Sequence, residues 1–399
     1  MNLMKMKRIA PILLLFLVFI ACKTDKKNTP SASDDLKWSL RMANSVMNLH
    51  DSLIYYEGHD RIRWQYDVAM LAMAIDKLGV VDPKYSDYMK EYMDYFINDD
   101  GTVKLYKQDD YNLDNINPAK NLFTLYKRTG DEKYNKAIQL FVKQMENQPK
   151  TKSGGFWHKK RYPWQMWLDG IYMASPFLAQ YAREYNNGEW FDVVTHQILL
   201  AYEKTHDPKT GLLYHAWDES KEQRWANPET GQSPNFWSRA MGWYLMAIVD
   251  VLDYLPENHP DRNQIITILT NTIDALLNVA DKDTGLWYQV LDQGGREGNY
   301  IEASGSCMYT YAMAKAANKG YIKKKYFQIA NEKFDNIIKY LITTDKDGNL
   351  VLKNVCGGCG LGGNPYRDGS YDYYVHEKVV DNDSKGVAPF ILAAIELNR

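Results

Sequence analysis

Cysteine is scarce. Cys22, Cys307, Cys356 and Cys359 are the only four in 399 residues, too few and too unevenly spread for a disulfide framework. Cys356 and Cys359 form a CxxC, but it lies in the glycine-rich stretch VCGGCGLGG with no second CxxC, so neither zinc nor redox use is expected. Cys307 sits in an apolar helical pattern and reads as core. Net charge is equally low: 48 basic against 50 acidic residues leave −2, which excludes a general nucleic-acid binder. Metal-ligand spacings, a phosphate loop closed by Lys-Ser or Lys-Thr, and a serine-centred elbow are all missing, so no metal or cofactor is expected.

The N-terminus, MNLMKMKRIAPILLLFLVFIAC, has a basic start (Lys5, Lys7, Arg8) and an apolar run from Ile9 to Ile20 that is too short to span a bilayer. It reads as an export signal. Phe19-Ile20-Ala21-Cys22 resembles the lipobox of bacterial lipoproteins, which implies cleavage behind Ala21 and lipidation of Cys22; a plain secretory signal with an incidental cysteine is the alternative. KTDKKNTPSASD, residues 23–34, has the polar composition of a tether. The expected division is a signal over 1–21, lipidated cysteine and tether over 22–34, and one domain over 35–399. The expected location is that of an exported bacterial lipoprotein, periplasmic or outer-membrane anchored, with a lipid membrane as partner.

What the chain has in plenty is aromatic: 30 Tyr and 11 Trp within a 45% hydrophobic composition, enough to bury a large core. Glycine loops recur as DDGTVKLY, SGGFWH, DPKTGLLYH, DKDTGLWYQ and DKDGNLVLK, with Gly101, Gly155, Gly211, Gly285 and Gly348 about 54 to 74 residues apart, a long period for a solenoid. After each comes an apolar helix-like run: NPAKNLFTLYKR, MASPFLAQYARE, SRAMGWYLMAIVDVL, GSCMYTYAMAKAA and GVAPFILAAIEL, with RIRWQYDVAMLAMAIDKLG as a sixth before the first loop. Amphipathic helices such as EKYNKAIQLFVKQMEN and YFQIANEKFDNIIKYLI lie between them. Six apolar runs alternating with six amphipathic ones predict an all-α fold, an (α/α)6 barrel of two concentric rings, with the glycine loops at one rim and short strands at LLYHAWD and LWYQVLD. An open helical solenoid is the structural alternative.

Loops sharing one rim would bring together Asp114 in YNLDNINPAK, His158 in GGFWHKK, Asp169 in MWLDG, His215 in LYHAWDES, Arg239 and Trp243 in FWSRAMGWY, and Glu302 in YIEASGS. This is the inventory of a carbohydrate site, with aromatic faces for sugar C–H faces, donors for hydroxyls and an arginine for a carboxylate. Asp169 stands among Pro163, Trp164, Met166, Trp167, Ile171, Tyr172 and Met173; a carboxyl in such a surround is paired or functional, and dehydration favours its proton-bearing form. Duller readings exist for each. Asp169 and Asp114 could cap helices, His158 could be a surface residue, His215 a satisfied packing histidine, and Trp237 or Trp243 plain core. Arg239 needs a carboxylate partner, from the protein or from a substrate.

LDNINPAK, WHKKRYPWQMWLDGIYMASPFLA, LYHAWDES, FWSRAMGWY, IEASGSCMYTYA and DNDSKGVAPFILA, in this order and spacing, resemble glycoside hydrolase family 105, the unsaturated rhamnogalacturonyl hydrolases. The resemblance covers essentially everything after the tether. It implies an (α/α)6 barrel that removes a 4,5-unsaturated uronic acid from the non-reducing end of lyase-generated oligosaccharides. By motif it implies Asp169 as general acid/base, Asp114 as second carboxylate, and His158, His215, Arg239 and Trp243 as substrate contacts. The substrate partner expected is therefore an unsaturated uronic-acid oligosaccharide. The sequence leaves the aglycone and the oligomeric state open. Competing readings are an unsaturated glucuronyl hydrolase acting on arabinogalactan, ulvan or glycosaminoglycan lyase products, and a lipid-anchored sugar-binding protein without turnover.

Overall fold

The computed structural model describes Met1 and residues 37–399, so the expected signal, Cys22 and tether lie outside the described residues. Thirteen α-helices follow in chain order: α1 (Trp38–Leu49), α2 (Tyr66–Asp76), α3 (Pro83–Phe96), α4 (Lys120–Thr129), α5 (Glu132–Glu146), α6 (Leu168–Glu184), α7 (Glu189–Thr205), α8 (Ser238–Val251), α9 (Arg262–Asn278), α10 (Ala303–Asn318), α11 (Lys325–Leu341), α12 (Tyr371–His376) and α13 (Ser384–Glu396). Six of them, α2, α4, α6, α8, α10 and α13, are the six apolar runs and form the inner ring. Every residue of α8 except Asp250 is buried, because neighbouring helices cover it on all sides. The outer helices are one-sided: α11 buries the stripe Tyr326, Ala330, Phe334, Ile337 and Leu341 and leaves most of its charge outside. Inner α8 packs on α6 and α10, α10 on α13, and α13 on α2. Asn121 of α4 donates to the Ala69 carbonyl of α2 at 3.0 Å, which closes the ring.

Thus the (α/α)6 barrel is present, and the open solenoid is not. The thirteenth helix, α12, is a six-residue insertion in the rim that apolar periodicity could not reveal. Of the two expected strands, one forms: β2 (Ala216–Asp218) pairs antiparallel with β1 (Gln165–Trp167). LWYQVLD makes only isolated bridges, Trp237 to Val290 and Tyr288 to Ile301, because its neighbours on either side are loops. Among the described residues no helix is long and apolar enough to cross a membrane.

The recurrent DxxTG loops are turns closed by their own aspartate. Asp207 accepts from the Thr210 backbone and hydroxyl at 3.0 and 2.7 Å, and Asp281 does the same for Thr284 at 2.7 and 2.8 Å. Gly211 and Gly285 follow at φ 76° and 68°, a region that side chains disfavour. In α6, Pro176 cannot donate to the Tyr172 carbonyl one turn earlier, and Asn117 Nδ2 fills that place at 3.2 Å, so the proline is accommodated in a fully packed helix. Inner helices approach closely where glycine allows it. A Cβ on Gly305 would lie 2.1 Å from Ser238 Oγ and 3.2 Å from the Ser238 backbone carbon. Gly305→Ala is therefore expected to force α10 from α8 and to destabilise the barrel by about 1–3 kcal/mol, read as a lowered Tm; an unchanged Tm would show that the helices separate freely.

Candidate active site

Successive rim loops are stitched to one another by backbone hydrogen bonds, and this brings residues far apart in sequence to one place. Leu113 N donates to the His158 carbonyl at 3.1 Å, and His158 N to the Gln165 carbonyl at 2.9 Å. Strand β1 then pairs with β2 in the register Trp167 to Ala216, and Leu168 N donates to the His215 carbonyl at 3.1 Å. Further round, Ser233 N bonds Ala216, Ser238 N bonds Gln289, Glu302 N bonds Trp287, and Ala303 N bonds Asn354, at 2.9 to 3.0 Å. The stitching places Asp114, His158, Asp169, His215 and Arg239 around one end of the inner ring.

Asp169 is the second residue of α6 and its side chain makes no cap bond, so the helix-cap reading fails. Its Oδ2 is buried, has no hydrogen-bond partner, and lies 3.3 Å from His215 Nε2, which is likewise unpartnered. On the other side of that ring Nδ1 lies 2.8 Å from the Tyr374 hydroxyl. Burial, with Cys359, Tyr373 and Asp169 nearby, pushes Tyr374 well above the ordinary phenol range, so it keeps its proton. Nδ1 is thus engaged by Tyr374, and Nε2 is the ring nitrogen that faces Asp169. Trp167 and Trp237 hold the imidazole at 5.3 and 4.7 Å between centroids. His215 is not a satisfied packing histidine: one nitrogen is fixed and the other is free for the acid.

Asp114 is not a cap either; Asn112 caps that short turn by accepting from Asp114 N. The Asp114 carboxylate is ion-paired with Lys159 and lies 3.5 Å from His158 Nε2. Burial alone would raise it, but the Lys159 ammonium above all outweighs that and holds it below the usual carboxylate range. His158, only 3% exposed, is no surface residue. Burial pushes it down to about 4 against the opposing pull of Asp114, so near neutrality it is an uncharged ring. It stacks on Trp167 at 4.7 Å, with Tyr162 on the opposite face at 4.9 Å. Lys159→Met should release Asp114 toward ordinary carboxylate behaviour and move the acid limb of kcat/KM to higher pH, a shift read from the pH–rate profile; an unmoved limb would mean that Asp114 does not need its charge.

Arg239 is as buried as the histidines gathered at this end. It is 1% exposed, donates to the Cys356 carbonyl at 2.5 Å and to Ser304 Oγ at 3.4 Å, and lies 4.9 Å from the Trp237 ring centroid. The Glu302 charge acts on it without an ion pair: Glu302 caps α10 by accepting from Ser304 N and Gly305 N at 3.0 and 2.7 Å and also accepts from Cys356 N at 3.0 Å. Arginine and glutamate thus grip the carbonyl and the N–H of one residue. Trp243 has no exposed surface; it stacks on Tyr172 at 5.0 Å and meets Tyr66 edge-on at 5.7 Å, forming a floor under the rim. Cys356 and Cys359 are free, their sulfurs 3.5 Å apart beside Gln289 Nε2.

Three residues escaped the sequence reading. Tyr66 feels the charges of Asp114, Arg239 and Asp169 together, and with Asp114 and Lys159 it lines a cavity of about 580 Å³. Lys159 was visible only as one of a Lys/Arg run, and Tyr374 sits on the unforeseen α12. Aromatic–acid adjacency in RWQYD was the one available signal for Tyr66. Among the described residues no cluster of three or more His, Cys, Asp or Glu could hold a metal ion.

The model of Glycosyl Hydrolase Family 88 matches residues 38–399. A solved family 105 glycoside hydrolase from C. acetobutylicum is 45% identical, with TM-score 0.88 over 91% of this chain and 99% of its own. The unsaturated rhamnogalacturonyl hydrolase YesR of Bacillus subtilis is 25% identical over 308 residues, 74% of this chain and 82% of its own. An unsaturated glucuronyl hydrolase specific for heparin shares the fold at TM-score 0.63 and 15% identity, over 83% of this chain and 84% of its own. With the Glycosyl Hydrolase Family 88 model matching nearly the whole described domain and a family 105 enzyme 45% identical over 91% of this chain, the protein belongs to glycoside hydrolase family 105 and is a glycoside hydrolase.

Proposed function

We propose that the enzyme is an unsaturated uronyl hydrolase that releases 4,5-unsaturated galacturonic acid from the non-reducing end of rhamnogalacturonan-derived oligosaccharides. The observation that carries this is the pair of carboxyls with opposite surroundings: Asp114 held as the anion by Lys159, and Asp169 with an unpartnered oxygen aimed at an oriented histidine. In the substrate, C5 is the oxygen-bearing end of an enol ether. Protonation at C4 makes C5 oxocarbenium-like, so one acid suffices and the anomeric carbon is not attacked. Asp169 donates that proton. As carboxylate it then takes a proton from the water that adds at C5, and the resulting hemiketal opens and releases the aglycone. His215 Nε2 faces the carboxylate when it forms, and anionic Asp114 lies at the same rim for sugar hydroxyls. Pairs of carboxylates flanking an anomeric centre serve ordinary glycosidases; here their roles are unequal.

A cationic wall favours a second reading for the aglycone. Arg61, Arg161 and Lys378 line the 580 Å³ cavity without an ion pair within 4 Å among the described residues, alongside the acids Glu57, Asp67, Asp114, Glu377 and Asp383. Such a wall suits an acidic or sulfated sugar, as in the products of glycuronan lyases. A panel of lyase-generated disaccharides separates the two. Loss of the ultraviolet absorbance of the conjugated double bond with a rhamnose aglycone supports the first reading; turnover only of acidic or sulfated aglycones supports the second, and binding without absorbance loss in any member would leave a sugar-binding protein.

We also propose that Cys22 is lipidated behind Ala21 and holds the enzyme at a membrane of the exporting cell. Cys22→Ser should move the protein from the membrane to the soluble fraction; equal retention would show that acylation is not the anchor.

A further inference from the structure

The inner ring has a second polar cavity, at the end away from Asp169. It is formed near the C-terminal ends of α2, α8 and α10, holds about 120 Å³, and has Asp250, Lys315 and Tyr311 in its walls with Lys120 reaching down from the start of α4. Lys120 is unusual. It is 7% exposed, its Nζ is buried with no hydrogen-bond partner, and its one close compensation is the face of Tyr172, 4.0 Å away. The Tyr172 hydroxyl is also buried and unpartnered. Two polar atoms are therefore left unmatched beside one cavity, where an unpaired buried charge is costly.

The carboxylates nearby are already engaged. Asp250 accepts from Tyr311 and Lys315, each at 2.7 Å; Asp253 pairs with Lys315 at 2.7 Å and Lys319 at 3.8 Å; Asp76 pairs with Arg128 at 2.8 Å. Lys77 stands exposed at the mouth. Three lysines and three aspartates line the cavity, but the aspartates are taken up by Lys315, Lys319, Arg128 and Tyr311, so the buried Lys120 ammonium is left without a carboxylate in contact, and the partner it lacks is an anion. The volume corresponds to about four waters at ~30 Å³ each, which admits a small carboxylate and excludes a uronide chain. The layer of Tyr172 stacked on Trp243 separates this cavity from the rim residues.

We propose that this end of the barrel is a binding site for a small carboxylate anion, with the Lys120 ammonium as its counter-ion. The test uses the whole protein in sodium acetate against sodium chloride at matched ionic strength. Acetate should raise Tm saturably, and Lys120→Met should lose that response while keeping hydrolase activity, since Lys120 touches none of the rim residues. Burial pushes Lys120 down to about 8, so acetate binding followed by calorimetry on the unaltered protein should weaken about tenfold between pH ~7 and pH ~9. Burial works against the charges of Lys315 and Asp250, but their mutual attraction outweighs it and keeps both ionised, while burial raises Tyr172, Tyr254 and Tyr311. No acetate response in the unaltered protein would mean that the cavity holds water only. An undiminished response in Lys120→Met would also overturn the proposal, and were that variant unfolded, an acetate affinity independent of pH would do so.

Discussion

Asp169→Asn is expected to lower kcat by roughly 10²–10⁴-fold or more, the range for loss of a general acid/base, with KM little changed. Asparagine keeps the shape of the side chain, and the Tyr374–His215 arrangement that faces it depends on neither oxygen of Asp169. What is lost is the ability to give a proton to C4 and take one back from water. The two-step role predicts that no nucleophile rescue restores rate, because a covalent intermediate is not part of the path. Near-normal turnover would remove the mechanism as written. Asp114 could not then simply replace it as proton donor, because Lys159 holds that group as the anion. The direct readout is the initial rate of double-bond loss at saturating substrate.

Much of this was legible in the sequence because the barrel writes itself in two alternating patterns. An inner helix such as α8 is apolar all round, an outer one such as α11 on one stripe, and both survive as residue periodicity. Convergence of Asp114, His158, Asp169, His215 and Arg239 followed once the loops were placed at one rim. The pairings themselves were not legible. That His158 meets Asp114, and His215 meets Asp169, depends on backbone stitching such as Leu113 to His158 and Leu168 to His215, set by loop register that no period encodes. Tyr374 lies on a helix too short to show periodicity, yet it holds one nitrogen of His215. Arg239 shows the same limit from the other direction. The sequence pointed to a carboxylate for it, whereas its direct partners are the Cys356 carbonyl and Ser304 Oγ, with the Glu302 charge acting through groups that both residues bond.

That placement changes what Arg239→Ala should do. A surface arginine gripping a uronate would show mainly as a raised KM. Arg239 instead has 1% of its surface exposed, and its Nε is buried without a partner. Burial disfavours its charge, but Cys356 and Glu302 outweigh this and raise it further, so the guanidinium is permanently cationic. Truncation would leave the Glu302 carboxylate buried without its counter-charge and the Cys356 carbonyl without its donor. Breaking one side of such a buried network costs about 3–5 kcal/mol, so Arg239→Ala should first appear as a lower midpoint of thermal or urea unfolding. Loss of kcat/KM should follow through the loosened loop, since Gly357 and Gly358, next to Cys356, line the cavity that Asp114 shares. Arg239→Lys is expected to recover part of the stability, because it retains the charge beside Glu302 while losing the planar fork that spans Ser304 and Cys356. A variant with unchanged unfolding midpoint and a KM raised tenfold or more, about 1.4 kcal/mol, would instead place the guanidinium on the substrate and require the glycine loop to move aside when sugar binds.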